Sequence, residues 1–207
     1  MNVIFLGPPG AGKGTHAARA AAALGVPHVS TGDMLRESIA EGAPEGLEAK
    51  GFIDRGDLVP DGLVNEIARR RLSRPDCAAG FVLDGYPRTL EQAESLGAAF
   101  PIHRVLSIEL NDTALIERIA GRRLCEACKG IYNVETIGVR ADCPACGARL
   151  FRREDDDPAV VANRLAVYHR ETSPLREYYR RTGALRAVVS DRSVDEVSKD
   201  ILAALPE

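Results

Sequence analysis

Two kinds of pattern alternate along the chain: short apolar runs, and stretches in which apolar positions recur every three or four residues. Val3–Leu6, Phe81–Leu83, Val105–Leu110 and Leu185–Val189 read as buried strands, and His28–Ser30, with Val29 as its one apolar residue, is a further candidate. Between them the spacing predicts helices over Thr15–Leu24, stopped by Gly25, over Asp61–Leu72, ending before Pro75, and over Thr89–Leu96. A further helix spans Asp112–Ile119 and ends at Gly121, with Arg118, Arg122 and Arg123 expected to close it. A long one opens at Asp157-Pro158 and bends at Pro174. This alternation predicts an α/β fold: a parallel sheet covered by helices on both faces. Ligands of such sheets lie beyond the C-terminal ends of the strands.

Two segments break the alternation. Residues 30–59 are helical in pattern, with Gly42, Gly46, Gly51 and Gly56 and no strand. Residues 121–156 hold four of the five cysteines and little apolar periodicity. Both are expected to be small lobes inserted into loops of the sheet.

Composition narrows the class. With 207 residues, 45 % of them hydrophobic and 28 % charged, the chain has the make-up of one soluble domain with inserted lobes. A net charge of −3 gives no reason to expect a nucleic-acid or membrane surface. The opening Met1–Leu6 run is too short for a signal peptide's apolar core, and no stretch approaches the ~18 apolar residues of a membrane span. The expected location is the cytoplasm, where clustered cysteines read as metal ligands rather than disulfides.

The sharpest motif is Gly7-Pro8-Pro9-Gly10-Ala11-Gly12-Lys13-Gly14-Thr15, which follows a strand and opens a helix. Its glycines let the backbone N–H groups of Gly10 to Thr15 turn inward on phosphate oxygens, and the helix N-terminus adds positive charge at the same spot. Lys13 would bridge the β- and γ-phosphates of a nucleotide, with the Thr15 hydroxyl near Mg2+. The strict pattern places Ser or Thr directly after the lysine; here Gly14 intervenes. Asp84 ends the strand Phe81–Leu83, where a carboxylate would hold Mg2+ through water.

Gly7–Thr15, Ser30–Arg36, Phe81–Thr89 and Gly121–Arg123, in this order and spacing, resemble the signatures of adenylate kinases across essentially the whole chain. The resemblance implies a P-loop nucleoside monophosphate kinase fold with a five-stranded parallel sheet. It divides the chain into a core (1–29, 60–120 and 157–207), an AMP-binding lobe (30–59) and a lid (121–156). The activity it implies is Mg2+-dependent transfer of a phosphoryl group from ATP to AMP, giving two ADP, in a monomer. Lys13, Asp84, Arg88, Arg122, Arg153 and Arg164 are then catalytic. Arg118, Arg122, Ile131, Tyr132 and Arg192 join the phosphate loop around ATP. AMP falls to Thr31, Arg36, Asp57, Leu58, Val59, Gly85, Tyr86, Pro87, Arg88, Gln92, Arg153 and Arg164, and Asp155 and Asp156 become hinge and orientation residues. The sequence departs from the family pattern at His16 and Tyr86, where Gln and Phe are expected, and in Asp191-Arg192-Ser193, which lacks a common glycine. No histidine needs a catalytic role, because the attacking AMP phosphate oxygen is already anionic near neutral pH (second pKa ~6).

Cys125-x2-Cys128 and Cys143-x2-Cys146 lie fourteen residues apart (129–142), a ribbon-like or treble-clef spacing. Four thiolates complete a closed tetrahedron around Zn2+ with no open position, so the metal is structural. Bacterial adenylate kinases with a long zinc-binding lid are similar. Cys77 stands apart as a plain thiol. Two other readings compete: a nucleoside monophosphate kinase for UMP or CMP or with GTP as donor, and a zinc-binding adaptor with a nucleotide switch. The adaptor has no use for Arg36, Arg88 or Gln92.

Overall fold

The structure, a computed structural model, describes residues 1–205. The chain runs β1 (Asn2–Leu6), α1 (Lys13–Leu24), β2 (His28–Ser30), α2 (Thr31–Ala40), α3 (Pro44–Arg55), α4 (Asp61–Leu72), β3 (Phe81–Asp84), α5 (Leu90–Ala99), β4 (Arg104–Glu109) and α6 (Asp112–Ala120). It continues as β5 (Arg122–Cys125), β6 (Ile131–Asn133), α7 (Val134–Ile137), β7 (Leu150–Phe151), α8 (Pro158–Val167), α9 (Leu175–Arg181), β8 (Leu185–Val189) and α10 (Val194–Ala203).

All five predicted strands pair, every neighbour parallel, in the order β2-β3-β1-β4-β8. Their side chains alternate between two cores because successive strand residues point to opposite faces. Ile4, Leu6, Phe81, Leu83 and Val105 meet α4, α5 and α9 on one face. Val3, Phe5, Val82, Leu106 and Ile108 meet α1, α6, α8 and α10 on the other. Truncating a fully buried member such as Ile4 or Leu106 to Ala would cost ~2–5 kcal/mol.

Several local expectations change. The helix after the phosphate loop begins at Lys13, and Thr89 is the N-cap of α5, its hydroxyl accepting from Gln92 N. Arg122 and Arg123 do not close a helix: α6 ends at Ala120, and both residues belong to β5. Their backbone is drawn into an antiparallel sheet of order β6-β5-β7, with Arg122 opposite Asn133. The bend near Pro174 is a π-helical turn, Tyr168–Thr172. Proline has no N–H for Arg170 and its ring crowds that carbonyl, so the preceding turn widens and Ser173 N reaches back to Tyr168 O at 2.8 Å. The C-terminal helix α10 has a capping box between Ser193 and Glu196 that the sequence reading did not use. Among the described residues, no helix is long and apolar enough to cross a membrane.

Candidate active site

The C-terminal ends of β2 and β3 and the segments that follow β1, β4 and β8 line a cleft of about 680 Å3, and the phosphate loop forms its floor. Gly12 caps α1 at φ 90°, a left-handed conformation that a β-carbon would strain. The turn it permits brings the helix N-terminus, Lys13 and Thr15 to the cleft. Lys13 Nζ donates to Pro8 O at 2.8 Å, within its own loop. Burial pushes the Lys13 ammonium down to about 8, against the pull of Asp84, and Arg88, Arg164 and Arg122 lower it further. Asp84 ends β3 beside the loop, so close that a β-carbon on Gly14 would sit 3.2 Å from its Oδ2. A carboxylate and a hydroxyl at this spot are the oxygen donors a hydrated Mg2+ takes, so Asp84 and Thr15 fit the ion that accompanies ATP.

A second pocket adjoins the cleft, lined by Thr31, Leu35, Asp57, Leu58, Val59 and Gln92. Ser30, not Thr31, caps α2, its hydroxyl accepting from Asp33 N at 3.3 Å. Thr31 is thereby free to turn inward, and its hydroxyl donates to Gly85 O at 3.0 Å. Asn163 Nδ2 donates to Asp57 Oδ1 at 2.8 Å and holds that side chain to α8. Gln92 is buried, its Oε1 accepting from Arg88 N at 2.7 Å and its Nε2 donating to Asp61 at 2.6 Å. Each end of the amide keeps one hydrogen-bonding position for a ligand. Tyr86 is turned away from the pocket into the core, donating its hydroxyl to Asn65 at 2.7 Å.

The two pockets meet at Arg36, Arg88 and Arg164, with Gly32 and Gly85 between them. Arg122 and Arg153 complete the guanidinium cluster. Its charges strain one another: burial, then the neighbouring Arg36 and Arg122, brings Arg153 down to about 10, and burial with Arg122 and Arg88 does the same to Arg164. Carboxylates offset part of this. Arg164 pairs with Asp155 at 2.9 Å, Arg122 with Asp156, Arg36 with Asp33, and Arg153 approaches Asp33 at 3.7 Å. Burial opposes ionisation of Asp155, yet Arg164, Arg36, Arg122 and Arg153 outweigh it and hold its carboxyl below the usual range. Positive charge remains in excess, as a site for polyphosphates requires.

On the far wall, Arg118 donates to Ser190 Oγ at 3.1 Å and to Ser190 O at 2.7 Å. Ile131 is half-exposed at the cleft rim. Arg192 borders the same wall, but its guanidinium is drawn off to Asp200 and Asp191. His16 is buried beside Ser198, with Nδ1 and Oγ 3.0 Å apart. Burial, then Arg19 and Arg118, lowers it to about 4, so it is neutral near pH 7 and carries no charge to phosphate. The sequence reading gave no roles to Asp33, Asp61, Asn163, Thr172 and Ser190. Asp33 was the one within reach, since it lies inside the Ser30–Arg36 motif; the others act through partners 28 to 106 residues away.

The four cysteines gather at the small antiparallel sheet, with every Sγ within 4.8 Å of the others. Cys125 and Cys146 are 3.5 Å apart and Cys128 and Cys143 3.7 Å. A tetrahedral zinc with bonds of ~2.3 Å separates its sulfurs by about 3.8 Å, close to these two distances, so the four thiols are grouped as a Zn2+ site requires. Leu150 and the ring of Tyr132 pack against Cys125 and Cys143. Cys77 is buried next to Arg71 and remote from this cluster; burial raises its thiol.

Positive charge assembled over a phosphate loop serves phosphoryl transfer between small phosphorylated molecules, and fold and cleft together place the chain among the P-loop kinases. A sequence profile of adenylate kinases matches residues 5–184. The chain is 43 % identical over 212 positions to the adenylate kinase of Carboxydothermus hydrogenoformans, covering 99 % of both. It is 42 % identical to that of Methanocella arvoryzae, over 99 % of this chain and 98 % of the other, and 44 % identical to that of Thermosipho melanesiensis, over 98 % of both. The chain belongs to the adenylate kinase family.

Proposed function

We propose that the larger cleft takes Mg·ATP, that the adjoining pocket takes AMP, and that the γ-phosphoryl group passes between them at Arg36, Arg88 and Arg164 to give two ADP. The carrying observation is that these three arginines line both pockets at once. Lys13 and the backbone of Gly10–Thr15 hold the ATP phosphates; Asp84 and Thr15 would hold Mg2+, which would supply charge neutralisation at the phosphates. Arg118, Arg122, Ile131, Tyr132 and Arg192 form the wall facing the rest of ATP. Thr31, Arg36, Asp57, Leu58, Val59 and Gln92 enclose AMP together with Gly85, Pro87, Arg88 and the backbone of Tyr86, whose side chain packs in the core. The AMP phosphate needs no general base, so catalysis is alignment and charge neutralisation by Arg88, Arg122, Arg153 and Arg164.

Residues 30–59 act as the AMP lobe and 121–156 as a zinc-stabilised lid, both closing on a core of 1–29, 60–120 and 157–207. Closure keeps water from the γ-phosphoryl group, for which it competes with AMP. The enzyme works as a cytoplasmic monomer. Turnover of ATP with AMP, UMP or CMP tests the assignment: AMP is expected to be strongly preferred, and equal rates with all three would overturn the acceptor reading. Two adenosines joined by five phosphates should bind far more tightly than either nucleotide, because one ligand fills both halves. Binding no tighter than ATP alone would count against adjoining sites.

A further inference from the structure

Tyr132 belongs to two places at once. It lies on β6 opposite Arg123 of β5, and it borders the nucleotide cleft. Its ring nevertheless packs on Cys125, Cys143 and Leu150, and its hydroxyl is 3.3 Å from Cys143 Sγ. The ring lies across Gly130, where a β-carbon would come within 2.8 Å of the hydroxyl oxygen. A glycine is therefore what lets the phenol reach the sulfur.

Four thiolates carry more negative charge than one Zn2+ neutralises, so each sulfur gains from a hydrogen-bond donor. Cys143 Sγ already accepts from Ala145 N at 3.4 Å. A metal-bound Cys143 has no proton to give, so in its contact with Tyr132 the phenol O–H is the donor.

We propose that Tyr132 is a positioning residue of the metal site, donating its hydroxyl to the Cys143 thiolate and tying zinc occupancy to the wall of the ATP cleft. Zinc then does more than hold the small sheet together. It fixes the orientation of a side chain that faces the nucleotide, and by reciprocity ATP strengthens zinc binding. The link to ATP rests on the assignment of that wall made above; the bond to the sulfur does not.

The test uses the full chain loaded with Zn2+, with and without Tyr132→Phe, in competition with a chromophoric chelator. Loss of the hydroxyl is expected to weaken zinc binding about tenfold or more, the scale set by groups that orient metal ligands. With Co2+ in place of zinc, the thiolate-to-metal absorption band is expected to move to longer wavelength, because an unbonded thiolate gives up its electrons more readily. In wild-type protein loaded with Cd2+, magnetic resonance should correlate the metal with the Tyr132 hydroxyl, an observation that needs no variant. ATP should raise zinc affinity in the wild type and raise it less in Tyr132→Phe. Identical chelator competition, an unmoved Co2+ band and no metal correlation would overturn the proposal. A metal effect that ATP leaves untouched would retain the bond to sulfur and reject the link to the cleft. Absence of ATP–AMP turnover in the wild type would strike instead at the proposed reaction.

Discussion

Arg122 and Asp156 face each other fork to fork: Nε donates to Oδ2 at 2.9 Å, and Nη2 donates to Oδ1. The carboxylate is fully buried, and Arg164 Nη1 stands 3.7 Å from the same Oδ1. One side chain therefore restrains two of the guanidinium groups that line the cleft. Asp156→Ala leaves both without that partner in a cleft already rich in positive charge. Removing one member of such a buried pair is expected to destabilise the fold by about 3–5 kcal/mol, measured by urea unfolding. Added tripolyphosphate should recover part of the loss in the variant by supplying the missing negative charge. Unchanged stability would mean that the pair is not needed to hold the cluster.

Lys13→Met keeps most of the side chain's length and removes its charge. It should lower kcat by at least ~10^2-fold, the loss typical when a preorganised electrostatic group is removed, with little change in the unfolding curve. Near-normal kcat would refute the phosphate-loop assignment.

The depressed Lys13 ammonium predicts a pH effect of definite sign. In the free enzyme it is charged below about 8 and neutral above. ATP favours the charged form, so its binding takes up a proton once the pH exceeds that midpoint. ATP affinity should fall as pH rises through this window, by up to about tenfold per unit. Calorimetric titration with a non-hydrolysable analogue, in buffers of different ionisation enthalpy, reads the uptake directly. Uptake that persists in Lys13→Met would locate the proton elsewhere.

Purified protein should hold about one Zn2+ per chain, and Cys143→Ser should lose it and melt at a lower temperature, since metal binding at such a site contributes folding free energy. Turnover at low temperature should survive. Protein from zinc-sufficient medium that contains no metal would refute the site, and activity lost on chelation with no change in melting would refute its structural role.

Much of this was legible in the sequence because the controlling signals are local. β1, β3 and β4 announce themselves as apolar runs, Gly25 marks the end of α1, and the Cys-x2-Cys pairs fix ligand number by spacing alone. Other features depend on contacts that periodicity does not encode. Arg122 and Arg123 follow a helix and carry the charges of a helix end, yet cross-strand pairing with Tyr132 and Asn133 makes them a strand. Thr31 turns inward only because Ser30 takes the capping bond, and Gln92 shows a free amide in sequence but meets Arg88 and Asp61 in space. Tyr132 could not have been placed against Cys143, because the path of α7 and the loop between them is set by tertiary packing.

The strand order β2-β3-β1-β4-β8 has a consequence for how such an enzyme can change over descent. The phosphate loop hangs from the middle strand. Thr31 and Gly85–Arg88 follow β2 and β3 to one side of it, whereas Arg118 and Ser190 follow β4 and β8 to the other. Mutations that reshape the pocket for one monophosphate therefore fall on loops that the opposite flank does not use. A lineage could shift its preferred base by drift along a single edge while purifying selection held the central loop fixed. The base taken by one pocket and the base taken by the other are, in this molecule, separately heritable.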